Sequence, residues 1–63
     1  RQGGRPMMHD PKFLVGDAVH IHETSGVGKV IFIEMVGRRY VYTVEYPGGL
    51  RKHAQETDLI KVG

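Results

Sequence analysis

The stretch that decides the fold is residues 25–34, SGVGKVIFIE, in which a glycine-rich turn leads into a run of apolar residues. A glycine loop that ends in Gly-Lys, as at Gly28 and Lys29, also occurs where nucleotide-binding proteins cradle phosphate. The stretch therefore predicts either a phosphate site or a turn that starts a β-strand. The neighbouring residues decide between the two.

The spacing around this stretch does not fit a phosphate-binding loop. A Walker A loop needs glycine where Glu23 stands and serine or threonine where Val30 stands, and the dinucleotide fingerprint needs a third glycine at Ile31. Both loops also open a helix whose N-terminal amides face the phosphate. Residues 30–33, VIFI, are instead strongly β-forming. The stretch is therefore interpreted as a glycine turn followed by a strand.

Outward from this strand, the chain reads as short strands separated by turns rich in glycine and proline. In residues 18–22 and 40–46 the side chains alternate in type between two faces, which is the period of half-buried strands. Residues 29–36, between them, carry mostly apolar side chains on both faces. The predicted strands are residues 18–22, 29–36, 40–46, 50–53 and 59–62, with a single helical turn at 56–58.

The length of the chain limits the fold that these strands can build. A chain of 63 residues with no cysteine depends on one small apolar core. Five short strands bury more apolar surface, and leave fewer free edges, in a bent and nearly closed barrel than in a flat sheet. We therefore predict an all-β, five-stranded SH3-like barrel over residues 12–63. Residues 1–11 are predicted to be a flexible arm, with residues 1–6 either a cloning remnant or a Gly-Arg arm that touches phosphates.

The composition excludes several classes of protein. The absence of cysteine excludes disulfide frameworks and thiolate metal sites. No apolar run approaches the ~18–20 residues that span a bilayer, and no charged-then-apolar segment opens the chain, so we expect a cytoplasmic protein. The formal net charge of +2 is compatible with nucleic acid as a partner without requiring it.

The segment FLVGDAVHIHETSGVGKVIFIE, residues 13–34, resembles the opening half of bacterial Tudor/KOW-like barrels. These include the C-terminal domain of UvrD/PcrA-type helicases and the RNA-polymerase-interacting domain of CarD-type transcription regulators. YTVEYPGG, residues 42–49, is similar to the strand and turn that follow there. The resemblance implies a bacterial or phage module that docks on nucleic acid or RNA polymerase and performs no chemistry. The matching positions are scaffold positions: Gly16, Asp17, Val19, Gly26, Gly28, Val30, Ile33, Val44, Tyr46 and Gly48.

The chain is also similar in architecture to plasmid-borne type II dihydrofolate reductases, which are SH3-like chains with a Gly-Asp start and a Pro-Gly turn. Their catalytic segment is Val-Gln-Ile-Tyr, and the corresponding residues 50–53 read LRKH here. The residues that would line the folate and nicotinamide pore are therefore absent. This resemblance implies that such barrels can assemble into oligomers, and we predict no enzymatic activity.

Basic residues gather at the predicted turns, where flexible cations are well placed to neutralise phosphates without reading sequence. The alternative is an ordinary solvated surface, screened by Glu34, Glu45 and Glu56. Tyr42 and Tyr46 are expected in the core, whereas Tyr40 is expected to be partly exposed. An exposed aromatic of this kind suits either stacking on a base of single-stranded nucleic acid or a cage for a methylated cation. The predicted binding residues for nucleic acid or RNA polymerase are Lys29, Arg38, Arg39, Tyr40, Arg51, Lys52 and His53.

No catalytic group or cofactor site is predicted. His20 and His22 share a strand face about 7 Å apart, but no cysteine supports them as metal ligands, so solvated histidines are the interpretation and no metal is expected. The aspartates lie near turns, where they commonly bond their own backbone. Because residues 29–36 are apolar on both faces, an oligomerising structural subunit is the alternative to a nucleic-acid-binding module.

Overall fold

The structure, a computed structural model, describes residues 9–22 and 26–62, and these form one antiparallel β-sheet. The predicted five strands and the helical turn before the last strand are confirmed, with ends that shift by one or two residues. The elements are β1 (Ala18–Ile21), β2 (Gly28–Val36), β3 (Arg39–Glu45), β4 (Arg51–Gln55), a 3-10 turn (Glu56–Asp58) and β5 (Leu59–Lys61). Within the described ranges, no helix is long and apolar enough to cross a membrane. Residues 1–8 of the predicted arm lie outside the described residues.

The strand order is β4-β3-β2-β1-β5, so the last strand returns to pair with the first. Ile21 of β1 is opposite Leu59 of β5, and the Val62 N–H donates to the Ala18 carbonyl oxygen at 2.9 Å. The other neighbouring strands follow one another along the chain. The pairing of β1 with β5 is therefore the one strand contact that joins the two ends of the described chain.

The core lies on one face of this sheet. Tyr42 and Val44 of β3 are fully buried, as the alternation of residues 40–46 predicts, and Tyr40 and Tyr46 pack half-buried against them. The rings of Phe13 and Tyr42 meet edge to face, with centroids 5.4 Å apart. The buried hydrophobic residues of the described chain are Phe13, Val19, Val30, Tyr42, Val44, Ala54 and Leu59.

A bulge in β2 changes which side chains share a face. Val30 is opposite Val44 but Phe32 is opposite Thr43, so Ile31 is an extra residue in the ladder. A bulge of this kind bends the strand and increases its twist. Phe32 thus points away from the core and is 56% exposed, while Val30 remains buried.

Gly28 allows the start of β2 to lie close to β3. A Cβ at this position would be 2.5 Å from Cγ1 of Val44 and 3.0 Å from the carbonyl oxygen of Glu45. Gly26, in contrast, has a φ of +141°, which favours glycine through its backbone conformation. Ser25 of the predicted turn lies outside the described residues, and the strand predicted to follow the turn is β2.

Candidate functional site

The turn between β2 and β3 borders an open pocket of about 370 Å³. Three of the predicted binding residues, Arg38, Arg39 and Tyr40, lie in its wall. The other lining residues come from the start of the described chain and from the end of β4 with the 3-10 turn. They are His9, Gln55, Glu56 and Thr57.

The pairing of β3 with β4 explains why these distant segments meet. Val41 is opposite Gln55, which is the last residue of β4. Beyond this pair the chain enters the 3-10 turn, so Glu56 and Thr57 lie beside the residues that precede Val41 on β3. The 3-10 turn therefore forms the wall of the pocket that faces Tyr40.

The two arginines at the turn are exposed cations. Gly37 has a φ of +63°, the left-handed conformation that a tight turn requires at this position. The Nη1 group of Arg39 donates to Oε1 of Gln55 at 3.4 Å. Neither Arg38 nor Arg39 forms an ion pair with a described residue. Their positive charge is therefore not neutralised by an ion pair within the described part of the chain.

Tyr40 is held in place between the core and the start of the described chain. Its hydroxyl donates to the backbone carbonyl oxygen of His9 at 2.9 Å, and its ring meets the His9 ring edge to face at 5.5 Å. Its other neighbour is Tyr42, with ring centroids 6.5 Å apart. The half-buried state expected for Tyr40 is confirmed, and the part of the ring that remains open faces the pocket.

Glu56 is the central polar group behind the pocket. Its Oε2 accepts hydrogen bonds from the Tyr42 hydroxyl at 2.5 Å and from the Lys12 backbone N–H at 3.1 Å. Its Oε1 lies 2.7 Å from Nε2 of His9. With a side chain only 12% exposed, Glu56 ties the start of the described chain to β3.

These contacts shift two pKa values in the directions that favour an ionised Glu56 and a neutral Tyr42. Burial, the hydrogen bond to Glu56 and the charge of Glu56 raise the pKa of Tyr42 to about 12. Partial burial opposes ionisation of Glu56, but the hydrogen bonds from Tyr42 and Lys12, with the contact to His9, outweigh it and lower the pKa of the carboxyl. Glu56 is therefore engaged by the chain itself.

The structure separates the remaining predicted cations from the pocket. Arg51 is opposite Glu45 at the far end of the β3–β4 ladder and binds its carboxylate at 3.1 Å. Lys29 is also opposite Glu45, from the β2 side. That end of β3 is about 20 Å from Arg39, at ~3.4 Å per residue. Lys52 and His53 are exposed on β4 between the two ends. The seven predicted binding residues are therefore divided into two groups.

Sequence reasoning missed the pocket residues that come from outside the turn. His9 and Glu56 are 47 positions apart in the chain, and no local pattern connects them. Glu56 was expected only to screen surface charge, and Gln55 and Thr57 carried no signal. They are found only through the register that sets Gln55 opposite Val41.

Among residues 9–22 and 26–62, no group of three or more histidine, cysteine or acidic side chains is placed to hold a metal ion. His20 is half-buried in β1, and His22 is exposed in the turn that follows. Neither histidine, both of which are interpreted from the sequence as solvated, belongs to such a group in the described part of the chain.

In comparisons with known proteins, no family model, curated protein or solved structure matches this chain. Its function is therefore inferred from the geometry and charge of the pocket.

Proposed function

We propose that this chain is a small SH3-like barrel of the Tudor/KOW kind that binds single-stranded nucleic acid through the turn between β2 and β3, and that it performs no chemistry. The barrel is supported by the return of β5 to β1 and by the bulge that bends β2. Glu56 is already bound by Tyr42, Lys12 and His9, which supports a structural role for this carboxylate.

The proposal rests on one observation. Arg38 and Arg39 are exposed and form no ion pair with a described residue, and they line a pocket together with the ring of Tyr40. Arg38 and Arg39 contact backbone phosphates, as guanidinium groups do in sequence-independent binding. Tyr40 provides a face on which one base stacks. Gln55, beside Arg39, adds side-chain amide donors to the same wall.

The shape of the pocket favours a single strand over a duplex. Its volume of about 370 Å³ is near the lower end of the ~300–1,000 Å³ of ligand pockets, which suits one unstacked base. A base in a duplex is already stacked and paired, so its entry into the pocket costs the free energy of unstacking and unpairing. We therefore expect tighter binding to a single strand than to a duplex of the same length.

Fluorescence anisotropy with a labelled oligothymidylate at low salt tests the proposal. The Arg38→Ala/Arg39→Ala variant is expected to bind about 10-fold or more weakly and to reduce the slope of log affinity against log salt by about 1.4, since each phosphate contact on a single strand contributes ~0.7. The control is Lys52→Ala/Lys61→Ala, which removes two exposed cations away from the pocket, one of which, Lys61, lies 3.9 Å from the Asp17 carboxylate. It is expected to retain most of the affinity.

Two variants at Tyr40 separate stacking from hydrogen bonding. Tyr40→Leu removes the ring and is expected to weaken binding by ~1–3 kcal/mol, the usual contribution of one stacked base. Tyr40→Phe keeps the ring and loses only the bond to the His9 carbonyl, so it is expected to bind nearly as wild type. Equal losses in both variants would contradict a stacking role.

The proposal fails if the wild-type chain binds no oligonucleotide at low salt, or if both double cation variants lose affinity equally. Retention of RNA polymerase on a column of the wild-type chain, abolished by the Arg38→Ala/Arg39→Ala change, would assign the same turn to the polymerase instead. NADPH-dependent reduction of dihydrofolate by the purified chain would overturn the non-catalytic part of the proposal.

A further inference from the structure

The face of the sheet that points away from the core has an exposed aromatic side chain at its centre. Phe32 of β2 is opposite Thr43 of β3, and Thr43 is opposite His53 of β4, so these residues form one row across three strands. Phe32 is 56% exposed, and His53 is exposed as well. We call the surface formed by this row and the rows on either side of it the outer face.

The two rows that flank the Phe32 row carry opposite net charge. One row contains two cations and one carboxylate, a net charge of +1, and the other contains one carboxylate, a net charge of −1. The positive row is Lys29, Glu45 and Arg51, and the negative row is Glu34, Val41 and Gln55. Each row lies about 7 Å from the Phe32 row, the distance between next-but-one residues of a strand.

One charge in each flanking row has no partner within the described part of the chain. Arg51 binds Glu45 at 3.1 Å. Lys29 and Glu34 are both exposed, and neither forms an ion pair with a described residue. They belong to the same strand on opposite sides of Phe32, so they point into solvent on either side of an exposed ring.

Two copies of the outer face complement each other about one particular two-fold axis. This axis runs along the Phe32 row, perpendicular to the strands. It places each strand over the same strand of the second copy, and the two strands run in opposite directions. Phe32 then meets the partner's Phe32, and the flanking rows exchange, so that Lys29 meets the partner's Glu34. An axis parallel to the strands would instead set Glu45 against the partner's Glu45, and facing like charges destabilise a contact.

We propose that the outer face is the contact surface of a symmetric homodimer, with the two Phe32 rings at its centre and two ion pairs between Lys29 and the partner's Glu34. Sheets that pack face to face lie about 10 Å apart, within reach of these side chains. Three strands ~4.8 Å apart and about 20 Å long offer less area than the ~800 Å² that each partner buries in a standard interface. We therefore expect a dimer with a dissociation constant in the micromolar range or weaker.

Sedimentation equilibrium of the purified chain from about 10 μM to 1 mM tests the dimer. Phe32→Asn and Glu34→Lys are each expected to weaken dimerisation about 10-fold, because the first removes both rings of the central contact and the second changes two symmetric ion pairs. The swap Lys29→Glu/Glu34→Lys restores opposite charges across the axis and is expected to return the dissociation constant to within about 3-fold of wild type. Circular dichroism checks that each variant remains folded.

The matched control is Asp10→Lys, which makes the same charge change at an exposed residue away from the outer face and is expected to leave dimerisation unchanged. Amide shifts followed on dilution give a second readout, and Thr43 and His53 are expected to move. A chain that is monomeric at 1 mM, a charge swap that fails to restore association, or dilution shifts confined to other surfaces would overturn the proposal.

Discussion

A single carboxylate, that of Glu56, joins separate parts of the chain behind the pocket. It accepts hydrogen bonds from Tyr42 of β3 and from the backbone of Lys12, and it contacts His9. Hydrogen bonds to a charged and nearly buried group contribute more to stability than bonds between neutral groups. The position of Tyr40 in the pocket depends on this group, since His9 contacts both side chains.

At the scale of the residue, Tyr42→Phe is expected to lower the free energy of unfolding by about 1.5–3 kcal/mol at pH 7, the contribution of a hydrogen bond to a charged group. The pKa of Tyr42 is raised from 10.0 to about 12, so the hydroxyl stabilises the fold fully below about pH 10, and this contribution is lost as the pH rises towards 12. The difference between variant and wild type should therefore shrink above pH 10.

Urea unfolding of both proteins at several pH values between 7 and 11 measures this difference. Tyr40→Phe is the control, because it removes a hydroxyl bonded to an exposed backbone carbonyl and is expected to cost less than about 1 kcal/mol. A difference between Tyr42→Phe and wild type that stays constant up to pH 11 would contradict the assigned bond to Glu56.

At the scale of the element, β2 and β3 form the hairpin on which both proposed surfaces are built. The sequence predicts this hairpin well, because β-branched and aromatic residues fill both strands and glycine marks the turn between them. It does not predict the bulge at Ile31, which turns Phe32 to the outer face. A bulge depends on how the partner strand fits against the bend, and the residues of β2 alone do not contain that information.

Gly28→Ala is expected to destabilise this hairpin by about 2–3 kcal/mol, as overpacking does in a close-packed interior. The new methyl group would lie 2.5 Å from Cγ1 of Val44 and 3.1 Å from Cδ1 of Tyr46. Gly37→Asn is the control, because no atom lies within 4 Å of its added Cβ and asparagine tolerates the φ of +63° there. Thermal unfolding measures both, and a Gly28→Ala variant as stable as the control would show that β2 does not need this close approach.

At the scale of the whole molecule, the pairing of β5 with β1 joins the end of the described chain to its first strand. A domain of this size has a total stability of about 3–9 kcal/mol. Leu59 is buried at 6% exposure and joins the last strand to the core. Leu59→Ala is expected to cost ~2–4 kcal/mol, which is enough to leave a large share of the chain unfolded.

The neighbouring residue gives a matched control for this prediction. Ile60 lies on the same strand but is 43% exposed, so Ile60→Ala is expected to cost less than about 1 kcal/mol. Urea unfolding followed by circular dichroism measures both variants. Equal losses from the two substitutions would mean that β5 is held by its backbone bonds to β1 rather than by the core.

The sequence by itself determined the strands, the turns and the buried side of β3, because these depend on local propensity and on a period of two residues. It also identified the turn at Arg38, Arg39 and Tyr40 as a candidate surface, since a glycine turn between two strands places its cations in solvent. Binding at this turn stays a prediction until the affinity of the Arg38→Ala/Arg39→Ala variant is measured.

Only the tertiary structure decided which distant residues share a surface. It separated Arg51 from Arg39 along the β3–β4 ladder, joined His9 to Glu56 across 47 positions, and set Lys29 and Glu34 on either side of Phe32. The physical reason is that strand register and the bulge are set by how whole faces pack, and a shift of one residue would turn every side chain to the other face. Gly28 begins β2, and the register of that strand against its neighbours determines which side chains the sheet presents to a partner.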